Sequence, residues 1–188
     1  MNDAFQTELL STAPGLLLAM PDLDDPNFQK TVVLMLEHTK EGALGLVINR
    51  ETPIRVADIF ETLDLVWHGQ ENAHVWNGGP VMREIGWILH EPTDAIAGAE
   101  VVPGIQLATT PDKMKVLAKD PPHQMRFLLG AAGWGPGQLE DELAQGAWMT
   151  ADASADLIFN TPPDHMWDAA FRLLGIDPTL LVRVDGIH

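Results

Sequence analysis

With 188 residues, 46% hydrophobic and 20% charged, the chain is expected to fold as one domain, residues 1–188, burying roughly 70% of its unfolded surface without a disulfide or metal. Its net charge of −16 comes with only 11 Lys and Arg and no basic stripe, which disfavours direct nucleic-acid binding through phosphate contacts except by a patch assembled on dimerisation. No Cys, an acidic Met1–Glu8 without a signal peptide's basic start, and apolar runs far shorter than the ~20 residues that span a bilayer predict a soluble, cytoplasmic protein that does not enter membranes.

In chain order, Phe5–Leu10 is expected to be a short helix that ends before Pro14. Gly15–Met20 is an apolar strand closed by Pro21, which cannot donate to a central ladder. Asp22-Leu23-Asp24-Asp25-Pro26 reads as a turn in which Asp side chains bond nearby N–H groups, rather than as an aspartate nucleophile site. Thr31–Leu36 and Ala43–Ile48 form the clearest hairpin, both strands apolar enough to lie mid-sheet, with Gly42 at the turn. Gly45 marks a bulge or close backbone approach, with the Trp134 region as its candidate neighbour.

After Asn49 and Arg50, the spacing of Val56, Ile59, Phe60 and Leu63 predicts a helix over 54–65. Trp67–Ala73 is a loop, Val75-Trp76 a short strand, Asn77-Gly78-Gly79-Pro80 a glycine turn and Ile85–His90 a strand. Val101-Val102 and Ile105–Ala108 read as a hairpin around Pro103-Gly104. Thr110 is placed to cap a helix that opens at Pro111 and runs to Pro121. Gln124–Leu129 is a strand feeding the stretch Gly130-Ala131-Ala132-Gly133-Trp134-Gly135-Pro136-Gly137, read as a glycine turn leading into a helix. Beyond it, Ala147–Met149 and Leu157–Phe159 are expected strands, and Trp167, Ala170, Phe171 and Leu174 mark a last helix. Hairpins dominate, which gives an α+β class with a mixed or antiparallel sheet.

No motif identifies a reaction. Gly133, Gly135 and Gly137 ahead of a helix resemble an anion cradle, yet Gln138 stands where a dinucleotide fingerprint needs its third glycine. Glu140, Asp141 and Glu142 already complement the helix dipole and would repel phosphate. The serines, Ser11 and Ser154, lie outside any nucleophile elbow, and no His-x-x-x-His pair is present among the seven histidines. Neither cofactor nor metal is expected. Glu37, His38, Asn49, Arg50 and His90 are the polar groups at strand ends, but the antiparallel hairpin puts Glu37-His38 and Asn49-Arg50 at opposite ends. Arg50, a fixed cation in an acidic chain, is expected to pair internally with a carboxylate, the alternative being a cleft with Asn49, the Trp134 turn, Gln138 and Glu142.

Gly15–Pro21, Asp25–Phe28, Glu37-His38 with Gly42–Arg50, Gly78–Val81, Leu89-His90 and Gly133–Glu140 resemble, in order and over nearly the whole chain, the successive blocks of the bacterial YqgE/AlgH family. The resemblance implies an α+β domain whose bifurcated sheet curls into a pseudo-barrel with helices packed outside. The AlgH name implies a role in transcriptional regulation of alginate production. Ala131 stands where the family pattern has an aromatic, and Pro111 where it has a small polar residue. No catalytic residue carries over. The functional expectation is a non-enzymatic regulatory or adaptor protein, with a transcriptional regulator or an enzyme of unassigned reaction as alternatives. Its surface for a protein or small-molecule partner would comprise Asn49, Arg50, Gly78, Gly79, Gly133, Trp134, Gly135, Gly137, Gln138 and Glu142, and a homo-oligomer is a further expectation.

Overall fold

In the computed structural model, which describes residues 11–181, runs of leucine and β-branched residues set the middle of the sheet. The helix expected at Phe5–Leu10 lies outside the described residues. β1 (Gly15–Ala19), β2 (Val32–Thr39) and β3 (Gly42–Val47) pair antiparallel, Leu34 standing between Leu16 and Leu46. Side chains alternate between two buried faces. Leu16, Leu18, Val32, Leu34 and Leu46 join one apolar cluster, while Leu17, Ala19, Val33, Met35 and Val47 join another. Gly45 packs against Val33 and the Leu34 carbonyl, beside a bulge at which Leu36 is the extra residue. Across the sheet Gly45 pairs with Ala132, whereas Gly42 is the residue pressed against the Trp134 carbonyl.

The chain continues through β4 (Glu51–Arg55), α1 (Val56–Thr62), β5 (His74–Asn77), β6 (Val81–His90), β7 (Ala99–Val102), β8 (Ile105–Ala108) and α2 (Pro111–Lys119). It ends with β9 (Met125–Trp134), α3 (Gln138–Ala144), β10 (Trp148–Ala151), α4 (Ala155–Asn160) and α5 (Pro163–Leu173). The sheet runs β10-β1-β2-β3-β9-β6-β8-β7 and curls as a half-barrel, an α+β fold. It also branches. On one edge of β9, Leu128 and Leu129 pair in parallel with Trp76 and Asn77 of β5, and beyond them Ala132–Trp134 pair antiparallel with β3. Helices α4 and α5 cover the Leu16/Leu34 face, α3 the Leu17/Val33 face, and α1 and α2 pack on Val75, Ile88 and Phe127. Among the described residues no helix is long and apolar enough to cross a membrane.

Glycine makes the branch possible. Where β9 changes partner, Gly130 takes φ +83° and Gly79 φ +144°, and a Cβ on Gly79 would overlap the Ala131 carbonyl. A Cβ on Gly78 would strike the Gly130 carbonyl. Gly78 then bridges the two branches, its N–H donating to Leu129 O at 2.8 Å and its carbonyl accepting from Val47 N at 2.8 Å.

Several expectations are corrected. Gly130–Trp134 is strand, and only Gly135–Gly137 turns, because the small residues allow β9 to lie between β3 and β6. Residues 51–55 pair with β5, so Ile54 is not helical and α1 starts at Val56; the register shift between Glu51 and Arg55 accommodates Pro53. Leu157–Phe159 lie in a helix, because Ser154 Oγ accepts from Leu157 N–H at 3.2 Å and nucleates a turn that a short apolar run alone does not reveal. Thr110 stands at the N-cap of α2 without a side-chain capping bond.

The Trp134 end of β9 is built into the interior. Trp134 and Trp148 meet edge to face at 5.8 Å, and Phe28 packs on both, 6.2 Å from Trp134 and 5.5 Å from Trp148. Glu142 Oε2 accepts from both indoles, from Trp134 Nε1 at 2.9 Å and Trp148 Nε1 at 2.7 Å, while its Oε1 accepts from Gln138 Nε2 at 3.0 Å. One carboxylate therefore satisfies two buried donors. Gln138 Oε1 in turn accepts from Gly135 N–H at 3.0 Å, closing the turn onto α3.

Two stability predictions result. Gly137, at φ +76° with no atom within 4 Å of an added Cβ, is constrained by conformation alone, whereas Gly79 is constrained by conformation and by contact. Gly137→Val should cost on the order of 1–3 kcal/mol, and Gly79→Ala more, in urea denaturation; the reverse order would refute the branch-point argument. Glu142→Leu strands two indole N–H groups and should cost about 2 kcal/mol or more, with Glu142→Gln closer to wild type. An unchanged denaturation midpoint for Glu142→Leu would show that the carboxylate does not hold the aromatic cluster.

Candidate functional site

The residues expected to form a binding surface are mostly engaged with the protein itself. Trp134 is 6% exposed inside its aromatic cluster, and Gly78 and Gly79 are buried at the branch. Gly133, Gly135, Gly137 and Gln138 remain exposed. Asn49 accepts from Val32 N–H at 2.9 Å and donates to Lys30 O at 2.9 Å. Arg50 pairs with backbone rather than with a carboxylate. It donates to the carbonyls of Asn27 at 2.6 Å, Gln29 at 3.1 Å and Pro26 at 3.3 Å, and partial burial lowers its pKa against the attraction of Asp25.

These bonds have a joint effect: Asn49 and Arg50 pin the 26–30 segment, whose Phe28 lies on Trp134 and Trp148. Asn49, Arg50 and Trp134 thus connect through that segment rather than by lining one cleft. The space beside Arg50, bounded by Asn27, Asn77, Gly79 and Arg83, is about 30 Å³, room for a single water.

The other strand-end groups do not converge. His38 Nδ1 accepts from Thr12 N–H at 3.1 Å, and its Nε2 faces Glu140 at 3.3 Å. His90, fully buried, donates from Nδ1 to Glu91 O at 2.8 Å, and burial lowers its pKa. Among the described residues no group of three His, Cys, Asp or Glu is disposed to hold a metal ion.

A much larger cleft, about 1020 Å³, opens beside the branch. Its polar centre follows from strand periodicity. In the β4–β5 pair Glu51 stands opposite Trp76, and in the β5–β9 pair Trp76 stands beside Leu128. Residues two apart on a strand share a face, so Glu51, His74, Trp76 and Arg126 come to one side of the sheet. Val75 and Phe127, between them in sequence, pack into the cluster under α1 and α2.

Arg126 dominates this site. It is 6% exposed, its guanidinium lies 4.1 Å from the centre of the Trp76 ring, and Nη1 donates to Ile48 O at 2.6 Å. Burial pushes its pKa down to about 10 and Glu51 opposes the shift, so the group is cationic at neutral pH. Among the described residues no carboxylate forms an ion pair with it; Glu51 turns to His74 Nδ1 at 3.4 Å. His68 and His123 also line the cleft, with Trp67, Phe127 and Phe159 supplying apolar wall. The sequence reading missed this residue by counting it among scattered cations. The available signal was a lone Arg inside the apolar run Met125-Arg126-Phe127-Leu128-Leu129, where a charge is expensive to bury.

Comparison with known proteins shows the family and the fold. The chain is 43% identical over 177 residues to a UPF0301 protein of Myxococcus xanthus, covering 94% of this chain and 98% of that one. It is 44% identical over 169 residues to a UPF0301 protein of Cupriavidus pinatubonensis, covering 88% and 89%. The solution structure of the AlgH protein from Pseudomonas aeruginosa superposes with a TM-score of 0.76 at 34% identity, over 97% of this chain and 99% of that one. A crystal structure of a Corynebacterium diphtheriae protein, 20% identical over 90% of each chain with a TM-score of 0.69, shares the fold. The AlgH-like family model matches residues 16–179, and the chain belongs to the AlgH-like family.

Proposed function

We propose that this chain is a cytosolic, non-enzymatic protein of regulatory or adaptor character that holds a ligand in the Arg126 cleft, with the Gly-Trp-Gly segment serving as scaffold. The observation that carries the reading is a buried guanidinium in the cleft wall with no carboxylate partner among the described residues. Burying a cation is costly unless its charge and donors are answered, and a carbonyl and a ring face answer only part of them. The cleft volume is of the size that takes a small molecule, and its walls mix aromatic and polar groups as such sites do.

The test is to map a fragment library on the protein by amide and indole NMR shifts. Hits should perturb the indole signals of Trp67 and Trp76 and the amides of Arg126 and Phe127. Perturbations concentrated at Gly133–Gln138, or no hits, would overturn the assignment of the cleft.

A further inference from the structure

The strand register that brings Arg126 over Trp76 also decides which of its donors are free. The Ile48 carbonyl takes Nη1. Among the described residues Nε and Nη2 have no hydrogen-bond acceptor, and Arg126 lines the cleft. Those two nitrogens form the side-on edge of a guanidinium, whose parallel N–H groups match the two oxygens of a carboxylate. The ring of Trp76 beneath and the Ile48 carbonyl behind fix the plane of that edge in advance.

Charge selects the kind of anion. Among the described residues Arg126 is the one buried cation of the cleft; at its rim the exposed Lys119 offsets the neighbouring Asp120, Glu51 lines the same space, and the chain carries −16 overall. A single negative charge balances Arg126, whereas a phosphate dianion would bring a surplus beside Glu51. Trp67, Trp76, Phe127, Phe159 and Pro162 flank this polar point with apolar surface that a bare inorganic anion would leave uncovered.

We infer that the cleft binds small monocarboxylates with an apolar or aromatic body, the carboxylate taken side-on by Nε and Nη2 of Arg126 and the body lying against the aromatic wall. This rests on the cleft being the binding surface. The free acid should bind by at least about tenfold over its amide, because the amide replaces an accepting oxygen by a donor facing a donor.

The test titrates wild-type protein and Arg126→Met with aryl alkanoates of graded chain length, each paired with its carboxamide, and with phenyl phosphate, read by the Trp67 and Trp76 indole signals and by calorimetry. The expected result is acid binding at least about tenfold tighter than amide in wild type, with the preference lost in Arg126→Met. Should Arg126→Met fail to fold, the wild-type acid-against-amide comparison decides alone. Acid and amide bound equally in the cleft would overturn the carboxylate inference while leaving the cleft assignment standing. Phenyl phosphate bound more tightly than every acid would overturn the choice of a monocarboxylate. No member of the panel perturbing the cleft, while other fragments do, would overturn the inference; no fragment binding there would remove the cleft reading itself.

Discussion

Everything in this fold depends on how closely two backbone segments approach where β9 changes partner. Strands normally keep about 4.8 Å between neighbours, and a third strand can enter only where no side chain stands in the gap. Gly78-Gly79 and Gly130 supply that gap, and the Gly78 amide and carbonyl tie the branches through Leu129 and Val47. The same junction forces residues 82–85 of β6 to loop out opposite Gly130, since Val81 pairs with Ala131 and Gly86 with Leu129. Half-barrel curl, branch and bulge are three consequences of one contact.

Much of this was legible in the sequence where pattern and physics agree. The hairpin of β2 and β3 is written in two unbroken apolar runs around a turn glycine, and burial on both faces follows directly. The Gly78-Gly79 pair is visible as a turn, but that it presses on Gly130 depends on a partner some fifty residues later, a non-local fact that no local window carries. The segment at Trp134 misled for a related reason. Glycine is read as loop because it permits any backbone, yet at Gly130 the missing side chain serves close packing against Gly79, and the strand continues through Trp134. At Leu157–Phe159 the apolar run fits either element, and the decision lies with Ser154 capping the turn.

The candidate site divides along the same line. Asn49 and Arg50 were singled out as strand-end polar groups, and Gln138 and Glu142 as their companions in a cleft at the Trp134 turn, but their bonds go to the protein's own backbone and indoles. A polar side chain beside an apolar core satisfies buried donors at least as often as it awaits a ligand, and sequence offers no way to count those donors. Arg126 was passed over for the opposite reason. Its meaning lies in what it lacks among the described residues, a carboxylate partner, and that is a property of the space around it.

Branch and cleft are connected physically. Because β5 joins β9 in parallel and carries β4 with it, this wing departs from the main sheet beyond Leu129, and the space it leaves is walled by β4, β5, the start of β9, the end of α2 and the junction of α4 and α5. Arg126 sits two residues before Leu128, where pairing with β5 begins, and it donates to Ile48, the residue that follows β3. A hydrophobic residue there would fill the crevice against Trp76 without desolvating a charge, which is the cheaper way to join two apolar strands. Holding a cation there instead stabilises the junction less than it could be stabilised. That deficit is understandable if the guanidinium's open edge is completed from the cleft.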